Sequence, residues 1–252
     1  MFTATLPAHS FKKIMQCISS VVMEADLKVT QEGIKFTTMD PSHISMINFH
    51  MGKEHFEEYF LDGETSLGLD IDEIRKVMNR SSADEFLTLK ADPGDNRLTL
   101  EFKKRDSKRV RRFNLVIIDA IGSENEKGEK YNVPTLDHTA HIEIPAYVLE
   151  DAIKDCNLIS ENIVFEANPP LLLIHTQGDS GTTLTEIREL LKYEVKEKCK
   201  SSFSISFLSD LCKFFDDSVK LGIGTDMPIQ INFSLENANF TFIQAPRVER
   251  EA

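Results

Sequence analysis

The sequence predicts an α+β protein of two similar domains, each made of antiparallel sheets and two short helices. Three observations predict it. Many short segments alternate apolar and polar residues with period two, four short segments carry helical periodicity, and the order of elements repeats at an offset of about 138 residues.

The four helices come first. In Ser10–Met23, Phe11, Ile14, Met15, Ile18 and Val22 form one stripe, with Lys12, Lys13, Gln16 and Ser20 opposite. Asp72–Arg80 turns Ile74, Val77 and Met78 inward and Arg75, Lys76 and Arg80 away. Pro145–Leu158 opens on a proline suited to a first helical turn; it buries Leu149, Ala152, Ile153 and Cys156 and turns Lys154 outward. Phe207–Phe215 places Phe207, Leu211 and Phe214 on one side and Lys213 on the other.

Strands fill the space between. Leu87–Lys90, Leu98–Phe102, Ile142–Ile144, Ile229–Phe233 and Phe240–Phe242 all alternate, as sheets with one buried face do. Asp92–Asn96 (DPGDN) and Asn168–Pro170 (NPP) punctuate them. The strand, helix and strand of Thr3–Met39 return in His141–Gln177, with Leu6-Pro7 falling on Ile144-Pro145, and the second helices, near Lys76 and Lys213, stand about 137 residues apart. Ile118–Pro134 is polar, contains glycine and has no periodicity, so it reads as a linker. The expected division is a domain over 1–117, a connector over 118–134 and a domain over 135–252.

Composition narrows the function. The 252 residues are 41% hydrophobic and 28% charged, an ordinary globular balance. No apolar run approaches the ~18 residues of a membrane-spanning helix, which argues against an integral membrane protein. Met1–Lys13 lacks the basic-then-apolar order of a secretory signal. Cys17, Cys156, Cys199 and Cys212 are scattered, with no CxxC pair, as in a reduced cytosolic chain. The formal net charge of −12 taken alone disfavours nucleic-acid binding.

Catalytic motifs are weak. Gly178-Asp-Ser-Gly181 matches the surroundings of a serine-protease nucleophile, but His138 and His141 sit in no matching context for the base, and a hairpin turn explains the glycines better. His9, His43, His50, His55 and His175 show no metal-ligand spacing, and Gly222-Ile-Gly224 lacks the rest of a dinucleotide fingerprint. No catalytic residue, metal or cofactor is expected. Lys103–Arg112 (KKRDSKRVRR) carries seven basic residues in ten. It reads either as a solvated hairpin or as a surface for an anionic partner. Apolar residues also gather in turns: Met39, His43 and Ile44 about an Asp-Pro-Ser loop, Asp226-Met-Pro228, and the closing Gln244–Glu249. They plug the ends of a core or form a docking groove.

Glu32–Ile47 (EGIKFTTMDPSHISMI), Leu67–Met78, Ile153–Ile163, Phe207–Phe214, Thr225–Phe233 and Ala245–Glu249 (APRVE) together resemble the proliferating cell nuclear antigen family of DNA sliding clamps, in its archaeal form. The resemblance runs in order from Met1 to Glu249. It implies a non-enzymatic processivity factor: three chains closing into a ring of six domains, sheets outside, helices lining a hole for duplex DNA. A net acidic ring then suits DNA, because the outer acids are screened beyond ~10 Å.

By position, the resemblance assigns DNA contact to Lys12, Lys13, Arg75, Lys76, Arg80, Lys154 and Lys213. It assigns a groove for partner peptides to Met39, His43, Ile44, Val133, Pro134, Leu136, Pro228, Ala245, Pro246 and Val248. Subunits would join by strand pairing between Arg109–Ile117, with Arg109, Arg111, Phe113 and Leu115, and about Ile174–Ile187, with Ile174, Thr176, Asp179 and Glu186. The implied partners are duplex DNA, two further copies in a homotrimer, a clamp loader, a replicative polymerase, a flap endonuclease and a DNA ligase. The implied location is the archaeal cytoplasm at the nucleoid, or the nucleus in a eukaryote. Two alternatives remain: one subunit of a heterotrimeric ring, or a peptide-binding adaptor that does not engage DNA.

Overall fold

The structure, a computed structural model, describes residues 1–92, 94–119 and 131–247. The expected connector 118–134 therefore lies largely outside the described residues, as does Val248. In chain order the elements are β1 (Phe2–Pro7), α1 (Ala8–Ser19), β2 (Glu24–Thr30), β3 (Gly33–Met39), β4 (Ser45–Gly52), β5 (Glu58–Leu61), β6 (Thr65–Asp70), α2 (Ile71–Met78), β7 (Glu85–Ala91), β8 (Arg97–Lys104) and β9 (Val110–Val116). There follow β10 (Ala140–Pro145), α3 (Ala146–Asn157), β11 (Asn162–Asn168), β12 (Leu171–Gly178), β13 (Gly181–Ile187), β14 (Lys192–Val195), β15 (Cys199–Ser204), α4 (Ile205–Leu211), β16 (Ser218–Ile223), β17 (Ile229–Leu235) and β18 (Ala238–Gln244).

The chain divides into two compact units. One takes Met1–His43, Ile47–Val133 and Leu235–Asn239; the other takes Ile44–Met46, Pro134–Ser234 and the residues from Phe240 onward. In the first unit, strands pair in the order β5-β1-β7-β8-β9 and β6-β2-β3-β4, and α1 lies against α2 and β7. In the second, they pair in the order β13-β12-β11-β15 and β14-β10-β16-β17-β18, and α3 lies against α4, β11 and β12.

The repeat is visible at its hinge points. Pro7 and Pro145 each end a strand in extended backbone (φ −58° for both, ψ 129° and 138°) and each is followed at once by a 12-residue helix. Proline has no amide hydrogen to leave unpaired at a helix start, and its fixed φ suits both the strand and the turn into the helix. α1 buries Phe11, Ile14, Met15 and Ile18, each worth roughly 1.5–3 kcal/mol relative to exposure. α2 is capped differently: the Asp70 carboxylate accepts the Glu73 amide at 2.9 Å.

Several expectations need correction. Pro145 closes β10 and does not occupy the first helical turn. The first helix stops at Ser19, although Val22 beyond it is still buried. The buried stripe of the fourth helix is Ile205, Leu208 and Leu211, with Cys212 after it, and not Phe207 and Phe214. Lys213 lies past the end of α4, in a tight 3-10 turn over Cys212–Phe214. Ile174 and Thr176 sit on β12, which is paired on both sides by β11 and β13. Ile174 is fully buried, and the Thr176 hydroxyl donates to the Asn162 carbonyl at 2.6 Å. They face the core and are not an interface; the strand left at that edge is β13.

All four cysteines are buried and unbridged. Burial pushes the Cys156 and Cys212 thiols up to about 11.

Candidate functional site

The helix cations fall outside the buried stripes, as the periodicity requires, and nearly all of them are held by carboxylates. On α2, the Lys76 ammonium lies 2.7 Å from Glu73 and 2.9 Å from Asp72, and Arg75 also binds Asp72. On α3, Lys154 meets Glu150 at 2.7 Å, one turn before it. After α4, Lys213 stands 3.9 Å from Asp210 and over the Phe214 ring. These bonds raise the pKa of Lys76 and Lys154 and hold Asp72 below its ordinary range.

On α1, Lys13 reaches Glu236 at 2.5 Å, and Ser10 donates to the same carboxylate at 2.6 Å. Glu236 and Asn237 form the two-residue turn between β17 and β18, both in the left-handed region (φ 51° and 64°). That is the type I′ pattern suited to tight hairpins, and the ordered glutamate carries its local strain. Burial works to raise the Glu236 carboxyl, but Lys13 and Ser10 outweigh it and hold the pKa down. Lys12 has no ion pair among the described residues, and Arg80 is exposed.

The apolar turn residues are fixed by local hydrogen bonds. The Asp40 carboxylate accepts the Ser42 amide at 2.9 Å and also binds the Ser42 hydroxyl, while the His43 amide donates to the Asp40 carbonyl at 2.9 Å. This Asx turn drives His43 into the left-handed region (φ 59°) and leaves its ring against Tyr131. Met39, which ends β3, is half-buried, and Val133 and Pro134 are exposed. In the second unit Ile44 is 43% exposed, and its carbonyl accepts the Ala245 amide at 2.9 Å. Pro246 is half-buried, and the Arg247 amide donates to the Ser202 carbonyl at 2.7 Å.

Pro228 is tied to a residue that sequence reasoning left without a role. His138 is 2% exposed, and its Nε2 lies 2.8 Å from the Pro228 carbonyl, so that nitrogen carries the proton of a neutral ring. Burial lowers its pKa, with the carbonyl pulling the other way. Leu136 and His138 line one cleft of about 430 Å³, along with His141, Lys192 and Lys220. Gly222 on β16 makes the space: a Cβ there would run into the His138 ring. The sequence signal was a glycine inside an alternating strand, which marks a close approach.

Two strand edges complete the candidate positions. β9 ends the β5-β1-β7-β8-β9 sheet and half-exposes Phe113 and Leu115. Of the basic run, Lys104, Arg105, Arg111 and Arg112 pair with Asp84, Glu57, Glu85 and Glu101. Arg111 grips Glu85 through both carboxylate oxygens (2.9 and 2.7 Å) and lies over Phe102. Burial works to raise Glu85, but the Ser82 amide and Arg111 hold it below its ordinary range. Lys103, Lys108 and Arg109 have no ion pair among the described residues. Arg80, Lys104, Arg109 and Arg111 share a recess of about 280 Å³. β13 exposes Leu184 (58%) and pairs Glu186 with Arg188 at 2.9 Å. Asp179 and Ser180 form the turn between Gly178 and Gly181, which face each other across β12 and β13.

A model of the proliferating cell nuclear antigen N-terminal domain matches residues 1–125. The DNA polymerase sliding clamp of Methanococcus vannielii is 32% identical over 99% of this chain and 100% of its own length. The chain belongs to the PCNA family of DNA polymerase sliding clamps. A second relative, the DNA polymerase sliding clamp of Pyrococcus horikoshii, is 31% identical over 96% of both chains. The PCNA fold is matched by the crystal structure of PCNA from Thermococcus kodakaraensis, at a TM-score of 0.87 and 24% identity over 98% of this chain and 100% of that one. A. fulgidus PCNA, in a complex with the C-terminal region of FEN-1, matches at the same score and identity over 100% of both chains. In this PCNA chain, sequence reasoning found the helix cations and the turn residues. It missed Glu236, which holds Lys13 from 223 residues away, and the tie between His138 and Pro228.

Proposed function

We propose that the protein is a processivity factor that encircles duplex DNA as a homotrimeric ring and performs no catalysis. Polymerase, flap endonuclease, ligase and clamp loader would dock on it through short peptides, at the nucleoid of an archaeal cell. The observation that carries this reading is the placement of cations on the exposed side of α1, α2 and α3, in a chain related to sliding clamps over its full length. Lys12, Lys13, Arg75, Lys76, Arg80, Lys154 and Lys213 would meet phosphates. Such contacts carry no sequence information, which suits a ring that slides.

The peptide groove is proposed at Met39, His43, Ile44, Val133, Pro134, Leu136, Pro228, Ala245, Pro246 and Val248. An exposed Ile44 tied to Ala245, and Pro228 tied to buried His138, support it as fixed surface on which an apolar anchor gains most. The subunit contact is proposed between the edges β9 and β13, each with open hydrogen-bonding groups and a half-exposed or exposed apolar side chain. Asp179 and Glu186 would face Arg109 and its neighbours across it.

The test is charge reversal at Lys12, Lys76 and Lys154 together, read as stimulation of a polymerase on primed circular DNA. The expected result is loss of stimulation with an intact trimer; unchanged stimulation overturns the channel assignment. Native mass by light scattering reads the assembly: about 86 kDa, three times the 28.6 kDa chain, is expected. A persistent monomer would instead mean a subunit of a mixed ring.

A further inference from the structure

Four of the five lysines proposed to meet DNA are already engaged. Lys76, Lys154 and Lys213 each follow a carboxylate by three or four residues, the spacing that brings two side chains together on one face of a helix or over a turn. Lys13 breaks the pattern in sequence yet repeats it in space. Its carboxylate comes from Glu236, 223 residues away, on a turn whose left-handed backbone is unusual for glutamate. The same arrangement reached by two routes, local spacing and a strained hairpin, points to the pairing itself as the feature in common.

We propose that Asp72, Glu73, Glu150, Asp210 and Glu236 set the strength of the grip on DNA by competing with phosphate for these lysines. The inference rests on the DNA-facing reading given above. A phosphate oxygen reaches a lysine only by displacing a carboxylate oxygen of the same charge and similar geometry. The exchange costs little, because exposed pairs of this kind are weak, and it returns little for the same reason. Each lysine then passes from carboxylate to phosphate and back as the duplex moves, and no contact becomes a trap. The lysines lie about half exposed and their partners beside them, so DNA has access to the exchange. Lys12, with no ion pair among the described residues, makes the uncompensated contact.

The test is a double-mutant cycle in the full chain, Glu150→Gln against Lys154→Met, read as affinity for a fluorescent 30-base-pair duplex at low salt (duplex length about three helical turns). Thermal unfolding and native mass are recorded for each variant. Competition predicts that Glu150→Gln tightens binding at least about twofold with Lys154 present, the factor an exposed pair permits. In the Lys154→Met background the gain falls close to nothing. An equal gain in both backgrounds overturns the proposal, since Glu150 then acts only through its general field; so does no gain at all. If Lys154→Met leaves affinity unchanged, the DNA-facing reading of this helix fails instead. A second cycle, Glu73→Gln against Lys76→Met, predicts a smaller gain, because Asp72 still holds Lys76. A larger gain there than at Glu150 also counts against competition.

Discussion

Lys13 and Glu236 are 223 residues apart in the chain, and their charged groups are 2.5 Å apart in the fold. The pair ties the first helix to the turn residue Glu236, within the same unit, and Ser10 adds a hydroxyl to the same carboxylate at 2.6 Å. The contact depends on a glutamate held at positive φ.

Glu236→Ala should therefore cost about 1–2 kcal/mol, because it leaves the buried Ser10 hydroxyl without its acceptor, while the exposed Lys13 ammonium turns to water at little cost. The pH dependence has a definite sign. The folded-state pKa lies below the unfolded one, so the stabilisation is present above the ordinary glutamate value and is lost as pH falls through the folded value. Urea unfolding of wild type and Glu236→Gln between pH 7 and 3 checks this: the gap between them should close at the acid end.

His138 gives a second pH limb, higher on the scale. Its neutral ring is buried against the Pro228 carbonyl, and its folded pKa is depressed. Below the unfolded value of ~6.5 the unfolded chain takes up the proton first, so stability declines as pH falls toward the folded value. His138→Phe should shrink that decline below pH 7, measured by thermal unfolding, leaving the part due to His175, whose pKa burial also lowers, while weakening any peptide that leans on Pro228.

Gly222→Ala should displace the same ring from the opposite side. The added methyl collides with His138 and forces it off the Pro228 carbonyl, at a cost of about 1–3 kcal/mol. A crystal structure of the variant should find the His138 ring rotated. An unmoved ring with unchanged stability would refute the packing account.

Removal of the tail after Gln244 takes away the Ala245 bond to Ile44 and the Arg247 bond to Ser202. Peptide affinity, read by titration calorimetry, should fall at least about tenfold, a change of ~1.4 kcal/mol. Normal affinity would move the groove elsewhere.

Leu184→Asp puts a charge on the exposed apolar position of the β13 edge, and Ser180→Ala alters only the adjoining turn. Light scattering should find the first variant shifted toward monomer and the second unchanged, with function intact.

How much of this was legible in the sequence depended on where the information lay. Leu6-Pro7 and Ile144-Pro145 advertised the duplication because proline constrains the backbone wherever it stands. The strands around Leu98–Phe102 and Ile229–Phe233 were legible because a half-buried strand must alternate. The stripe of α4 is not legible in Phe207–Phe215, because the helix begins at Ile205 and ends at Leu211, and that frame turns Ile205, Leu208 and Leu211 inward. The interior place of Ile174 and Thr176 is not legible, because sequence does not say which of two consecutive strands ends a sheet. His138 and Glu236 were invisible for one reason. Each owes its role to a partner about 90 residues or more away, and no local pattern records such a meeting.

The buried thiols carry a practical consequence. Cys17, Cys156, Cys199 and Cys212 are all shielded from solvent, and at neutral pH two of them are held almost wholly as the unreactive protonated form. Maleimide dyes should therefore leave the native chain unmarked. A cysteine introduced at exposed Leu158 would then accept a fluorophore without first stripping the others, giving a single reporter with which to watch the molecule load and move.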